Sequence, residues 1–145
     1  MSATLLLLAL MHMPLWSHSP YRACIRARAA TIAAQATNAA EAHGVPTDIV
    51  MAVGALESAY GCSPRSGGSW GSPIGRDHRN IAGGADHQAR DLATSYRVCG
   101  TWPRAIARYR CGLCACRPGV LVGYTPAQAI RLASGMARAS VSEHE

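Results

Sequence analysis

Alanine-rich stretches limit most strongly how this chain can fold. From Ala27 to Ala42 the sequence is dominated by alanine, and phenylalanine is absent from the whole chain. Alanine is the strongest helix former, whereas strands draw on β-branched and aromatic side chains. The fold expected is therefore all-α. With 145 residues and 49% hydrophobic content, the chain can bury one core, not two.

Hydrophobic spacing divides the chain into helices. The first is expected from about Tyr21 to His43, closed by Gly44, which accepts a left-handed cap conformation. Thr47 then serves as an N-cap, and Ile49, Val53, Leu56 and Tyr60 form a core-facing stripe that ends at Gly61. The stretch from Cys62 to Arg79 is rich in Gly, Ser and Pro and reads as a long loop. A second stripe follows at Ile81, Ala85, Ala89, Leu92, Tyr96 and Cys99. Thr101, Trp102 and Pro103 open a short helix that closes at Gly112, before a cysteine-rich loop. Thr125 and Gln128 form a capping-box pattern around Pro126 and predict a last helix reaching about Ala139.

Near the start, Leu5 to Leu10 continue through Met13 to Trp16 as an apolar run. It is shorter than the ~20 residues a membrane-spanning helix needs and resembles the core of an export signal. Residues 1–19 are read as a signal peptide or N-terminal anchor and residues 20–145 as the domain, with no stable membrane span once the signal is removed. No Arg or Lys precedes the run, and Pro20 follows its small-residue segment. The six cysteines, Cys24, Cys62, Cys99, Cys111, Cys114 and Cys116, are an even set in a short chain with an export-like start. That predicts disulfides, with at least one tying the loop after Gly61 or the segment after Gly112 to the helices. Spacing alone selects no connectivity. A zinc site at Cys111, Cys114 and Cys116 is disfavoured, because no second C-x-x-C and no nearby His complete four ligands. Neither a metal nor a cofactor is expected, and His78 and His87 read as surface residues.

The net charge is +6, all of it from arginine over eight acidic residues. Such a field suits an anionic polymer. The arginines are scattered, with only Arg104, Arg108 and Arg110 close together, so nucleic acid is not the expected partner.

Glu57 is the outlier among the helical stripes. It lies in an apolar helix on the row Val50, Gly54, Glu57, Gly61, where two glycines leave room for something to approach. A desolvated carboxyl there would have a raised pKa, as a general acid working near neutral pH requires. The competing reading is a structural Glu paired to an arginine. His43 to Gly61, HGVPTDIVMAVGALESAYG, then NIAGG at Asn80 to Gly84, then Ala107 to Gly112, ARYRCG, occur in that order. Together they resemble three motifs of the lytic transglycosylase domain of the lysozyme-like superfamily, over a motif-bearing core of residues 43–112.

The resemblance implies a lysozyme-like helical domain with long loops, stapled by disulfides. It implies a monomer in the cell envelope, secreted or periplasmic, whose partner is the glycan strand of peptidoglycan. By the same resemblance Glu57 is the single catalytic acid, cleaving the MurNAc–GlcNAc β-1,4 bond, and Ser58 lines the site. Tyr109 is the tyrosine whose hydroxyl reaches the acid, and Asn80 and Gly112 belong to the motifs beside the substrate. Three departures stand out. Arg110 occupies the place of the family's Asn, its Gly-Leu-Met-Gln segment is missing, and Gln88 and Asp91 fall where apolar residues are expected. Glu57 to Ser63 with Asn80 to Gly83 is also similar to the cell-wall glucosaminidases of the same superfamily, which place the acid at Glu57 as well. Trp70 reads either as a sugar-stacking residue or as a plug holding its loop, and Asp77 as the second carboxylate of a hydrolytic variant. A degenerate module that binds peptidoglycan without cutting it, and a small cationic disulfide-rich protein acting on membranes or nucleic acid, are the non-enzymatic alternatives.

Overall fold

The structure is a computed structural model that describes residues 2–64, 70, 81–121 and 123–142. Among these the chain forms eight helices and no strand, in agreement with the all-α expectation. They are α1 (Ala3–His12), α2 (Pro14–Ser17), α3 (Arg22–Ala27), α4 (Ala29–His43), α5 (Thr47–Ser58), α6 (Ile81–Cys99), α7 (Trp102–Cys111) and α8 (Pro126–Ser142). No helix among the described residues is long and apolar enough to cross a membrane.

The centre of the molecule is α5. Ile49, Val50, Met51, Ala52, Val53, Gly54 and Ala55 are all buried, so this helix is enclosed on every side through its middle turns. Its two ends come partly to the surface, Thr47 and Asp48 at the start and Leu56 and Glu57 toward the C-terminal end. It is flanked by α4 and α8, with α6 packed on α4 and α7 packed on α6. α1 lies against α4, α5 and α8 and buries Leu6, Leu7, Leu10 and Met11. The apolar run read as an export segment or anchor is thus a source of core side chains in the folded chain. α8 meets it closely: a Cβ on Gly135 would come within 3.2 Å of the Met13 methyl.

Helix ends largely follow the local chemistry. Gly44 (φ +67) closes α4 in the left-handed conformation expected of it, and α7 closes at Gly112 (φ +85), also left-handed. At α8 the capping box is complete: Gln128 N–H donates to Thr125 Oγ1 at 3.2 Å, and Thr125 N–H donates to Gln128 Oε1 at 2.7 Å. Two ends differ. The helix expected from Tyr21 breaks at Arg28, whose N–H is shared between the carbonyls of Cys24 and Ile25. No glycine or proline marks that break; it accompanies the burial of Ile25 and a bond from Cys24 to the turn after α5. And α5 ends at Ser58, before Gly61, because Ala59 (φ +48) and Tyr60 (φ +55) already adopt left-handed backbone.

All six cysteines are paired: Cys24–Cys62, Cys99–Cys114 and Cys111–Cys116. The first ties the turn after α5 to α3, the second ties the segment after Gly112 to α6, and the third closes that segment on the end of α7. Each removes conformations from the unfolded chain where few apolar anchors would order the folded one.

If α1 is a core element, Leu6→Ala and Leu10→Ala should each cost ~2–5 kcal/mol, the range for truncating a buried leucine. Thermal melts of the full chain read this as a clear fall in Tm. Melts unchanged by both substitutions would show that α1 carries no part of the core.

Candidate active site

The left-handed pair Ala59–Tyr60 is held from several sides. Tyr60 is fully buried and its hydroxyl donates to the Met51 carbonyl at 2.9 Å, while Gly61 N–H donates to Ser58 Oγ at 3.0 Å. Each non-glycine residue in this region costs on the order of 1–3 kcal/mol unless its surroundings enforce it. The consequence is a sharp end to α5 directly after the Glu57–Ser58 pair, so that the carboxyl stands where the central helix meets the surface.

Trp70 builds the floor beside it. Its indole is completely buried, 5.0 Å from the Tyr60 ring, and presses on α5 so closely that a Cβ on Gly54 would lie 2.5 Å from it. Its backbone presses equally on α6, where a Cβ on Gly84 would lie 2.1 Å from the Trp70 carbonyl oxygen. The room that Gly54 leaves is therefore filled by the protein's own indole, and Trp70 is the plug, not an open platform for a sugar. Its Nε1–H donates to Gln88 Oε1 at 3.0 Å, and Gln88 Nε2 donates to the Tyr109 hydroxyl at 3.4 Å. Gln88 is buried because both ends of its amide have partners. The apolar register of α6 uses Ala85, Ala89 and Leu92.

The Glu57 side chain is only 11% exposed. The hydroxyl that reaches it belongs to Tyr124, which donates to Oε1 at 2.6 Å. Tyr109, expected in that role, is half-buried, receives Gln88 and lies close enough to bear electrostatically on Tyr124. Arg110 completes the group. Its side chain is 12% exposed, its Nε lies 3.8 Å from Glu57 Oε1, its guanidinium carbon sits 4.0 Å from the centre of the Tyr124 ring, and Nη1 donates to the Tyr124 carbonyl. Among the described residues, the Tyr124 bond and the Arg110 contact both fall on Oε1. Burial raises the Glu57 pKa; Tyr124 and Arg110 each act to lower it, and burial prevails. The two sequence readings of Glu57, desolvated acid and arginine partner, both describe real parts of its surroundings.

Of the other expected site residues, Ser58 is buried at the helix end and Gly112 is an exposed helix stop. Asn80, Asp77 and His78 lie outside the described residues. His87 pairs with Asp91 at 3.1 Å on the surface of α6. Cys111, Cys114 and Cys116, the alternative zinc ligands, are all committed to disulfides. Tyr124 escaped the sequence reading although a signal existed. It directly precedes the N-cap Thr125, the position where an apolar side chain staples a helix start against the fourth helical residue, here the buried Ala129.

Comparison with protein-family models, with curated proteins and with solved structures finds no match for this chain.

Two predictions follow from this geometry. Gly84→Ala drives a methyl into a backbone oxygen that cannot rotate away, so it should destabilise by ~1–3 kcal/mol, the usual cost of overpacking; denaturant unfolding of wild type and variant measures it. The second concerns pH. Glu57 binds its proton more tightly folded than unfolded, so its stabilising contribution is complete below the ordinary carboxylate pKa and is lost as pH rises through the raised one. The Tm of wild type relative to Glu57→Gln should therefore fall across that window. A Tm difference that grows with pH would mean that the pairing with Arg110 outweighs burial.

Proposed function

We propose that this chain is a peptidoglycan-cleaving enzyme of the lytic transglycosylase type, with Glu57 as its only catalytic carboxyl. The observation that carries the reading is the buried Glu57 carboxyl at the end of the central helix, kept above the usual carboxylate range by desolvation and oriented by the Tyr124 hydroxyl. The resemblance of residues 43–112 to the transglycosylase motifs supplies the substrate class, the β-1,4 bond between MurNAc and GlcNAc. The all-α core around α5 agrees with a lysozyme-like domain, and the three disulfides agree with a secreted or periplasmic setting.

In this reading protonated Glu57 gives its proton to the leaving glycosidic oxygen as the bond from that oxygen to the anomeric carbon breaks. The carboxylate then takes the proton of the same sugar's 6-hydroxyl, whose oxygen bonds to the anomeric carbon and closes an anhydro ring. The proton count returns to its start, and no second carboxylate is required. Tyr124 and Arg110 hold the carboxyl; Tyr109, Ser58 and Gly112 belong to the surrounding frame.

One observation favours a second reading. Arg110 stands within ion-pair distance of Glu57 where the transglycosylase motif has Asn. In a module that binds the glycan without cutting it, that pair would be purely structural. A single experiment separates the two. Release of soluble muropeptides from purified cell walls should fall by at least the ~10²-fold typical of losing a general acid in Glu57→Gln, with the fold retained because Gln matches Glu in size and helix propensity. A destabilised but fully active Glu57→Gln protein would sink the assignment. Mass spectrometry of the products then tells anhydro ends from the reducing ends that a glucosaminidase or lysozyme-type hydrolase would leave.

A further inference from the structure

We propose that Arg110 is a positioning residue for Glu57, one that stabilises the carboxylate midway through a reaction in which a single carboxyl serves first as acid and then as base. The inference rests on the proposed function and deepens it. A one-carboxyl reaction makes opposite demands on one group. Before the first proton transfer the carboxyl must hold its proton, and burial favours that state. After the transfer the same desolvated group carries a negative charge, and a buried anion without a counter-charge is costly.

Arg110 meets the second demand without cancelling the first. At 3.8 Å from Oε1 its Nε is near enough for charge compensation, yet longer than the ~2.7–2.9 Å of a charge-assisted hydrogen bond that would lock the ionised form. It is also fixed. The guanidinium lies over the Tyr124 ring and donates to the Tyr124 carbonyl, so the residue that hydrogen-bonds Oε1 also anchors the cation beside it. The neighbouring Cys111 is bonded to Cys116, which holds the end of α7 in place. From Leu92 to Ser142 the chain contains no Asp or Glu, so the segment that carries Arg110 and Tyr124 brings no carboxylate of its own. Of the groups on elements packed around α5, those with an electrostatic effect on Glu57 among the described residues are Tyr124 and Arg110, and Tyr109 acts in turn on Tyr124.

The test follows the Glu57 carboxyl carbon by NMR titration in the full, disulfide-bonded chain, with Glu57→Gln assigning the signal. Wild type is compared with two neutral variants, Arg110→Gln and Arg110→Met, either of which suffices if it folds, and with charge-retaining Arg110→Lys. In the neutral variants the Glu57 midpoint should move to higher pH by at least about one pH unit, as expected for removing an opposite charge within ~4–6 Å. Arg110→Lys should stay closer to wild type. In muropeptide release the alkaline limb of the pH profile should move the same way, with kcat lowered and KM little changed. An unchanged midpoint in the neutral variants of an active chain overturns the role of Arg110 alone, as does Arg110→Lys behaving like Arg110→Gln. A midpoint that responds in a chain releasing no muropeptides overturns the enzymatic reading and leaves the electrostatic hold of Arg110 on Glu57 standing.

Discussion

The seat of Trp70 is the contact on which the rest of this structure leans. One indole joins four elements: it packs into the missing side chain of Gly54 on α5, stands against Tyr60 in the left-handed turn, presses its backbone on Gly84 of α6, and through Gln88 reaches Tyr109 on α7. Two glycines at the contact let backbones approach to distances that any side chain would prevent. Because the indole Nε1–H has a partner in Gln88, its burial leaves no orphan donor, and the large apolar surface of the ring is gained without a polar penalty. The same contact settles the environment of Glu57 indirectly, since it fixes the end of the helix on which the carboxyl stands.

A second set of constraints acts on the other side of the carboxyl. Residues 112–121 bury almost nothing, so hydrophobic packing cannot decide where the chain runs between α7 and α8. Two disulfides and one capping box take that role. Cys111–Cys116 and Cys99–Cys114 pin its start, and the reciprocal Thr125–Gln128 bonds pin its end at α8. Tyr124 stands just before that cap and is delivered to Glu57 by a helix start whose geometry is local. A carboxyl and its hydroxyl partner, 67 residues apart in sequence, are thus brought together by short-range rules at both ends.

What could be read from sequence was what local chemistry decides. Gly44 and Gly112 as helix stops, the Thr125 capping box, the α6 stripe through Ala85, Ala89 and Leu92 and the isolation of Glu57 in an apolar helix all follow from neighbours within a few residues. That the cysteines are oxidised follows from their even count, while which pairs form, 38 and 15 residues apart in two cases, does not. The break at Arg28 did not announce itself, because tertiary contacts of Ile25 and Cys24 overrule a helix-favouring sequence there. Gln88 looked out of place because its two partners, Trp70 and Tyr109, are distant in sequence and their meeting cannot be seen from spacing. The exchange of roles between Tyr109 and Tyr124 has the same origin: both are aromatic residues near helix ends, and only the path of the segment between Gly112 and Thr125 decides which hydroxyl meets the carboxyl.

The N-terminal run makes the limit of composition plain. A lipid-facing helix and a core helix ask the same thing of their side chains, an apolar surface all round, so Leu5 to Leu10 satisfy either demand. What distinguishes a core helix is complementarity in its neighbours. Here α1 lies against α4 and α8, helices whose buried residues are mostly alanine, and itself buries Leu6, Leu7, Leu10 and Met11; Ala29 and Ala30 of α4 lie beside Leu7 and Met11, and Gly135 of α8 lies beside Met13. Small residues on one partner and large ones on the other allow close axial approach, and a surface pocket of about 190 Å³ remains where Thr4, Leu7, Leu8 and Met11 of α1 meet Ala29 and Ala30 of α4. The alanine content that marked the chain as helical is therefore also what makes room for the leucines of α1, and the same residues account for both the secondary structure and the way its helices fit.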